Sequence, residues 1–85
     1  MKYVYDSDSD ALYVTLRNGA IDHTVELTDG VVLDVSADDE VIGVDVMVPS
    51  QGWDADIVAD RARLDHGARA SLRTLAAANW PSVVR

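Results

Sequence analysis

The chain has 85 residues, no cysteine and a formal net charge of −8, with 48% hydrophobic and 26% charged residues. That size allows one core and one domain, residues 1–85, of globular rather than disordered composition. The lack of cysteine excludes thiol catalysis and thiolate metal sites, and the negative charge disfavours nucleic acid and anionic membrane, leaving a basic protein as the easier partner.

The first ten residues, MKYVYDSDSD, meet acid before any long apolar stretch, so no secretory signal is expected. No apolar run approaches the roughly 20 residues that cross a bilayer. With no cysteine to oxidise, a cytoplasmic location is the expectation. Charge divides the chain. Residues 1–50 carry eleven acids against Lys2 and Arg17, whereas residues 51–85 carry four acids against five arginines. The change coincides with a change of hydrophobic period, which predicts a β region over 1–50 and a helical region over 51–85.

Along residues 1–48 apolar side chains recur in steps of two, the signature of strands. Asp6, Asp8 and Asp10 alternate with serines in DSDSD. As an EF-hand loop this stretch would require glycine at position 11 and a glutamate at 17, and the chain has Ala11 and Arg17. DSDSD therefore reads as a hairpin loop, Ser7–Asp10, setting Tyr5 opposite Leu12 and Tyr3 opposite Val14. Asn18-Gly19 is a preferred two-residue hairpin turn, pairing Leu16 with Ile21, Val14 with His23 and Leu12 with Val25. A three-residue loop, Thr28–Gly30, then sets Leu27 opposite Val31 and Val25 opposite Leu33, with Gly30 left-handed. A four-residue loop at Ala37–Glu40 sets Val35 opposite Ile42 and Leu33 opposite Val44. The expectation is an antiparallel meander of about five strands.

After Pro49 the spacing becomes helical. Asp54 is placed to cap a helix bearing Ile57, Val58, Ala62 and Leu64. Asp65-His66-Gly67 breaks or caps, and Ala68, Leu72, Leu75 and Ala76 continue at steps of three and four. Arg61, Asp65, Arg69 and Arg73 line up at i+4 on the polar side. Trp53 and Trp80 flank the region and are expected to seal the helix edges against the sheet. The fold class is therefore α+β, with one or two C-terminal helices packed on one face of the sheet.

Chemistry-bearing residues are sparse. His23 lies on the apolar face in the hairpin register, and His66 sits in the helical break. Neither has a nucleophile partner, and no serine occupies a nucleophile elbow. Asp34 and Asp45 share the polar face of adjacent strands as diagonal neighbours, roughly 7 Å apart, with Gly43 leaving room beside them. Two carboxylates so placed could chelate a metal or perform acid–base work, but no third ligand is evident, and a solvated sheet face is the simpler reading. No catalytic residue, cofactor or metal is expected, with Asp34 and Asp45 as the alternative metal site.

The stretches YDSDSDALYVTL and DGVVLDVSADDEVIGVDV carry a resemblance. Through Tyr5, Asp6, Asp10, Ala11, Leu12, Tyr13, Asp29, Gly30, Val31, Asp34 and Gly43, the first 50 residues resemble a small prokaryotic family known only as domain of unknown function 2283. The resemblance implies no activity, cofactor or catalytic residue. Some members look like antitoxin partners of small ribonuclease-like toxins.

The functional expectation is a non-enzymatic protein-interaction module, antitoxin-like, that neutralises a basic partner. Residues 68–80 are expected to carry specificity, with Arg69, Leu72, Arg73 and Trp80 as the partner-binding candidates. The alternatives are a metal-binding protein or metal-dependent enzyme using Asp34 and Asp45, and a structural homodimer. A homodimer is expected over a monomer, because a chain this small lacks disulfides and its second sheet face retains Tyr13, Val32, Val41 and Met47.

Overall fold

The computed structural model describes residues 1–81. Residues 82–85, the end of the expected helical region, lie outside the described residues. Five strands, β1 (Lys2–Asp6), β2 (Ala11–Thr15), β3 (His23–Thr28), β4 (Val31–Val35) and β5 (Val41–Met47), precede helices α1 (Ala55–Ala62) and α2 (His66–Ala77). All pairings are antiparallel, so the α+β class and the five-stranded sheet hold.

The strand order is β1-β2-β5-β4-β3 rather than sequential. Strands β3, β4 and β5 form a meander, and β2 returns beside β5, which is a Greek key. Asn18-Gly19 is therefore not a hairpin turn. It lies in a connection that passes the ends of β5 and β4: Leu16 N–H donates to Ile42 O at 2.8 Å and Asp22 N–H donates to Val35 O at 2.8 Å. Gly19 lets this connection lie close to Ile42, whose Cδ1 would be 2.7 Å from an added Cβ. Composition gives the physical reason. In a meander β3 would be an inner strand, yet His23, Thr24, Glu26 and Thr28 leave it polar and exposed, which suits an edge. Strand β5 is buried along nearly its whole length, which suits the centre.

The other hairpins follow the expected registers closely. Tyr5 faces Leu12 and Tyr3 faces Val14 across the Ser7–Asp10 loop. Val25 faces Leu33, and Gly30 has a φ of 79°. The shift between Glu26 and Thr28 is a bulge, so Thr28, not Leu27, faces Val31. The extra residue keeps both Val25 and Leu27 against the core. A second shift sets Val35 opposite Val41 instead of Ile42. It brings Val41 into the core at 1% exposure, removing it from the expected outer face.

Leu12, Val14, Leu33, Val35, Val44 and Val46 form the covered face, against which α1 and α2 bury Ala55, Val58, Ala59, Ala62 and Leu72. Asp54 caps α1 by accepting from Asp56 N–H at 2.9 Å, and Asp65 caps α2 by accepting from Ala68 N–H at 2.8 Å. Trp53 and Trp80 are half-buried against the core. The Trp53 indole nitrogen is buried without an acceptor, and nothing in the structure explains it.

Asp10 joins the sheet to the helices. It is 4% exposed and left-handed, with a φ of 51°. Its carboxylate accepts from Tyr5 Oη at 3.0 Å, from Ser50 N–H at 3.4 Å and from the Ser50 hydroxyl. Its carbonyl accepts from Val48 N–H at 2.7 Å. These bonds hold Val48 at φ 54°, ψ 54°, a conformation that costs a β-branched residue about 1–2 kcal/mol. DSDSD is a hairpin loop, and its last residue is also a buried latch. By contrast, Asp8 is exposed. Asp10→Ala is therefore expected to cost about 1–3 kcal/mol by stranding its donors, while Asp8→Ala stays within about 0.5 kcal/mol. Urea denaturation of both variants checks this, and equal losses would refute the latch.

Candidate functional site

The helices cover one face of the sheet, and the registers define the other row by row. One row reads Val4, Tyr13, Asp45, Val32 and Glu26 from β1 to β3. Beside it runs Lys2, Thr15, Gly43, Asp34 and Thr24, and on the other side Asp6, Ala11 and Met47. Val4 is 70% exposed and Met47 51%, while Tyr13, Val32, Asp34 and Asp45 are half-buried. The surface is thus apolar patches set among four acids and one lysine.

At its centre Tyr13 reaches from β2 across β5 to β4. Its hydroxyl donates to Asp34 Oδ2 at 2.6 Å. Gly43, which lies between, makes the crossing possible: an added Cβ would overlap the phenol, with Tyr13 Cζ only 2.6 Å away. Asp34 faces Gly43 and Asp45 faces Val32, so the two acids are the diagonal neighbours the sequence implied. The phenol next to Asp34 was not foreseen, because it follows from β2 pairing with β5. Burial first, then the Asp34 hydrogen bond and the charges of Asp34 and Asp45, push the Tyr13 hydroxyl up to about 12. Among the described residues no group of three His, Cys, Asp or Glu side chains is arranged to hold a metal.

The other candidates are dispersed. His23 is exposed on the edge strand, its Nδ1 2.9 Å from Asp22 Oδ2, and His66 is exposed at the start of α2. Leu72 is fully buried. Arg69 pairs with Asp56 and Asp60 of α1, and Arg73 Nε donates to Asp56 at 2.8 Å. These guanidiniums hold the Asp56 carboxyl below its ordinary range. The line of arginines therefore ties α2 to α1, while Arg61 turns to Asp39 at 3.3 Å. Trp80 packs on Tyr3 and Tyr5 with ring centroids 5.7 and 4.9 Å apart, and its Nε1 donates to Leu75 O. All of these contacts are internal to the chain.

A cleft of about 640 Å³ lies between the β4–β5 turn and the end of α1. Two ion pairs cross it: Arg17 lies 3.3 Å from Glu40 and donates to the Ala62 carbonyl at 2.9 Å, and Arg61 faces Asp39 at 3.3 Å. No serine, histidine or tyrosine lines it; its polar groups are carboxylates and guanidiniums.

A family model described as "Protein of unknown function (DUF2283)" matches residues 2–48, more than half of the chain and the whole of the sheet. The chain belongs to this family. The matched segment contains the Tyr13–Gly43–Asp34 crossing, and both helices lie beyond it. No curated protein and no solved structure matches the chain. Among the described residues no helix is long and apolar enough to cross a membrane.

The raised Tyr13 hydroxyl fixes the sign of an alkaline dependence. Its contribution to stability is complete below the unfolded value of 10 and is lost as pH rises from 10 to about 12. Tyr13→Phe should remove that part of the decline, measured by denaturation across this pH range, and phenol absorbance should lose its latest-titrating tyrosine. An unchanged slope in the variant would contradict the buried crossing.

Proposed function

We propose that the chain is a non-enzymatic protein-interaction module that presents the outer face of its sheet to a basic partner protein. The observation that supports this reading is the one-sided helix layer. It leaves Val4, Tyr13, Val32 and Met47 uncovered among Asp6, Glu26, Asp34 and Asp45. An apolar centre with an acidic surround favours a partner surface of the complementary kind and speeds its approach through long-range attraction. An antitoxin that neutralises a basic, ribonuclease-like toxin fits this chemistry. Reaction chemistry has less support, since Asp34 accepts from Tyr13 and four of the charged groups lining the cleft are held in ion pairs.

Residues 68–80 remain a second surface for such a partner through Arg73 and Trp80, but the internal bonds of Arg69 and the burial of Leu72 favour the sheet. Comparative capture from the native host with mass spectrometry separates the two. Val32→Lys combined with Asp45→Lys should abolish recovery of a basic protein that wild type and Arg73→Ala both retain. For the recovered pair, the association rate should fall as salt is added, because the sheet's charge is screened. A partner lost only with Arg73→Ala or Trp80→Ala would place binding on the helices. A rate indifferent to salt would remove the electrostatic basis of the proposal.

A further inference from the structure

The two edges of the sheet are guarded differently. An edge strand exposes unpaired backbone groups, and proteins usually blunt it with bulges, prolines or charges that clash with a second copy. Strand β3 has a bulge between Glu26 and Thr28 and, apart from Val25 and Leu27 on the core side, is polar. Strand β1, KYVYD, is regular over five residues, has no proline and, among the described residues, pairs only with β2.

The direction of its free backbone groups follows from β2. Leu16 N–H and Asp10 C=O are bonded on the β5 side, to Ile42 and Val48. Strand alternation then turns the groups of Ala11, Tyr13 and Thr15 toward β1, where they face Asp6, Val4 and Lys2. Tyr3 and Tyr5 are left aiming their N–H and C=O groups at the open edge.

From this we infer that β1 is a self-complementary edge that pairs antiparallel with β1 of a second copy, with Val4 on the two-fold axis. In that register Tyr3 of each copy faces Tyr5 of the other as a hydrogen-bonded pair, and both free donors and both free acceptors are used. Lys2 of each copy faces Asp6 of the other, so opposite charges meet at both ends of the outer face. On the inner side the Tyr3–Tyr5 contacts extend the aromatic cluster that each copy already forms with Trp80. Registers centred on Tyr3 or Tyr5 would set Lys2 or Asp6 against Val4 and lose this match. Face-to-face pairing of the outer surfaces would oppose acid to acid. The edge therefore takes a second copy of this chain, joining two sheets into one of ten strands with both outer faces on the same side. This inference is independent of the partner reading, and either can fail without the other.

Val4 tests the register because it is 70% exposed and points away from the core. Light scattering behind a sizing column should give wild type twice the 9.2 kDa of one chain, with a mass that falls on dilution because five-residue strands bury little area. Val4→Lys and Val4→Glu should each give the mass of one chain with unchanged circular dichroism, and mixing them should restore the double mass. Val4→Cys supplies the only thiol of its chain and sits at a non-hydrogen-bonded pair, so oxidation should cross-link it, whereas Val32→Cys on the same face should stay uncoupled. A wild type that keeps the mass of one chain at submillimolar concentration would overturn the inference. So would a dimer that survives Val4→Lys, a mixture that stays monomeric, or cross-linking of Val32→Cys in place of Val4→Cys.

Discussion

The outer face of this sheet is organised around a missing side chain. Position 43 lies in the central strand, facing Thr15 on one side and Asp34 on the other. Because Gly43 has no Cβ, the Tyr13 ring can lie across the strand and bond to Asp34 two strands away. One phenol thereby ties β2, β5 and β4 together on the face that no helix covers. It also spends one of the two carboxylates that could otherwise have acted as a ligand pair. What remains on that face is a surface of apolar patches and charges, on which the proposed interaction rests.

A second constraint acts at the other end of the sheet. The chain must leave β5 and turn back over the covered face, and it does so through a left-handed valine followed by proline. Asp10, brought beside this turn by the β1–β2 hairpin, accepts from both backbone and side chain of Ser50 and holds the exit in place. The helices then lock to each other through Arg69 and Arg73 against Asp56 and Asp60, while Arg61 reaches back to Asp39 of the β4–β5 turn. The acids of the first half, with fewer internal cations to meet, keep their field toward solvent. Charge segregation in the sequence thus becomes a division between a near-neutral helical layer and an acidic sheet.

Local features were legible because local physics decides them. The period of two located the strands, Asp54 and Asp65 were readable as caps, and the Ser7–Asp10 loop gave the β1–β2 register. Strand order was not legible from turn chemistry, since Asn18-Gly19 satisfies a hairpin as well as it satisfies a crossing connection. The clue was burial: a strand rich in His, Thr and Glu belongs at an edge, and a continuous apolar strand belongs inside. Both bulges add one residue and move Leu27 and Val41 to the core side, a shift that strict alternation cannot anticipate. Of the site, the Asp34–Asp45 diagonal was visible because β4 and β5 are joined by a short turn. Tyr13 was not, because its neighbour Gly43 lies 30 positions away and meets it only through the Greek key. Asp10 stood out through the resemblance alone and not as a latch, since a turn aspartate and a buried one read alike.

Everything proposed for the outer face rests on β2 lying beside β5 and not beside β3. Nuclear Overhauser contacts in solution test that placement directly. The structure predicts contacts from the Tyr13 ring to the Gly43 α-protons and cross-strand contacts between Leu12 and Val46, with none between Val14 and His23. Contacts joining Val14 to His23 and Leu12 to Val25, with none from Tyr13 to Gly43, would restore the sequential meander and contradict this account.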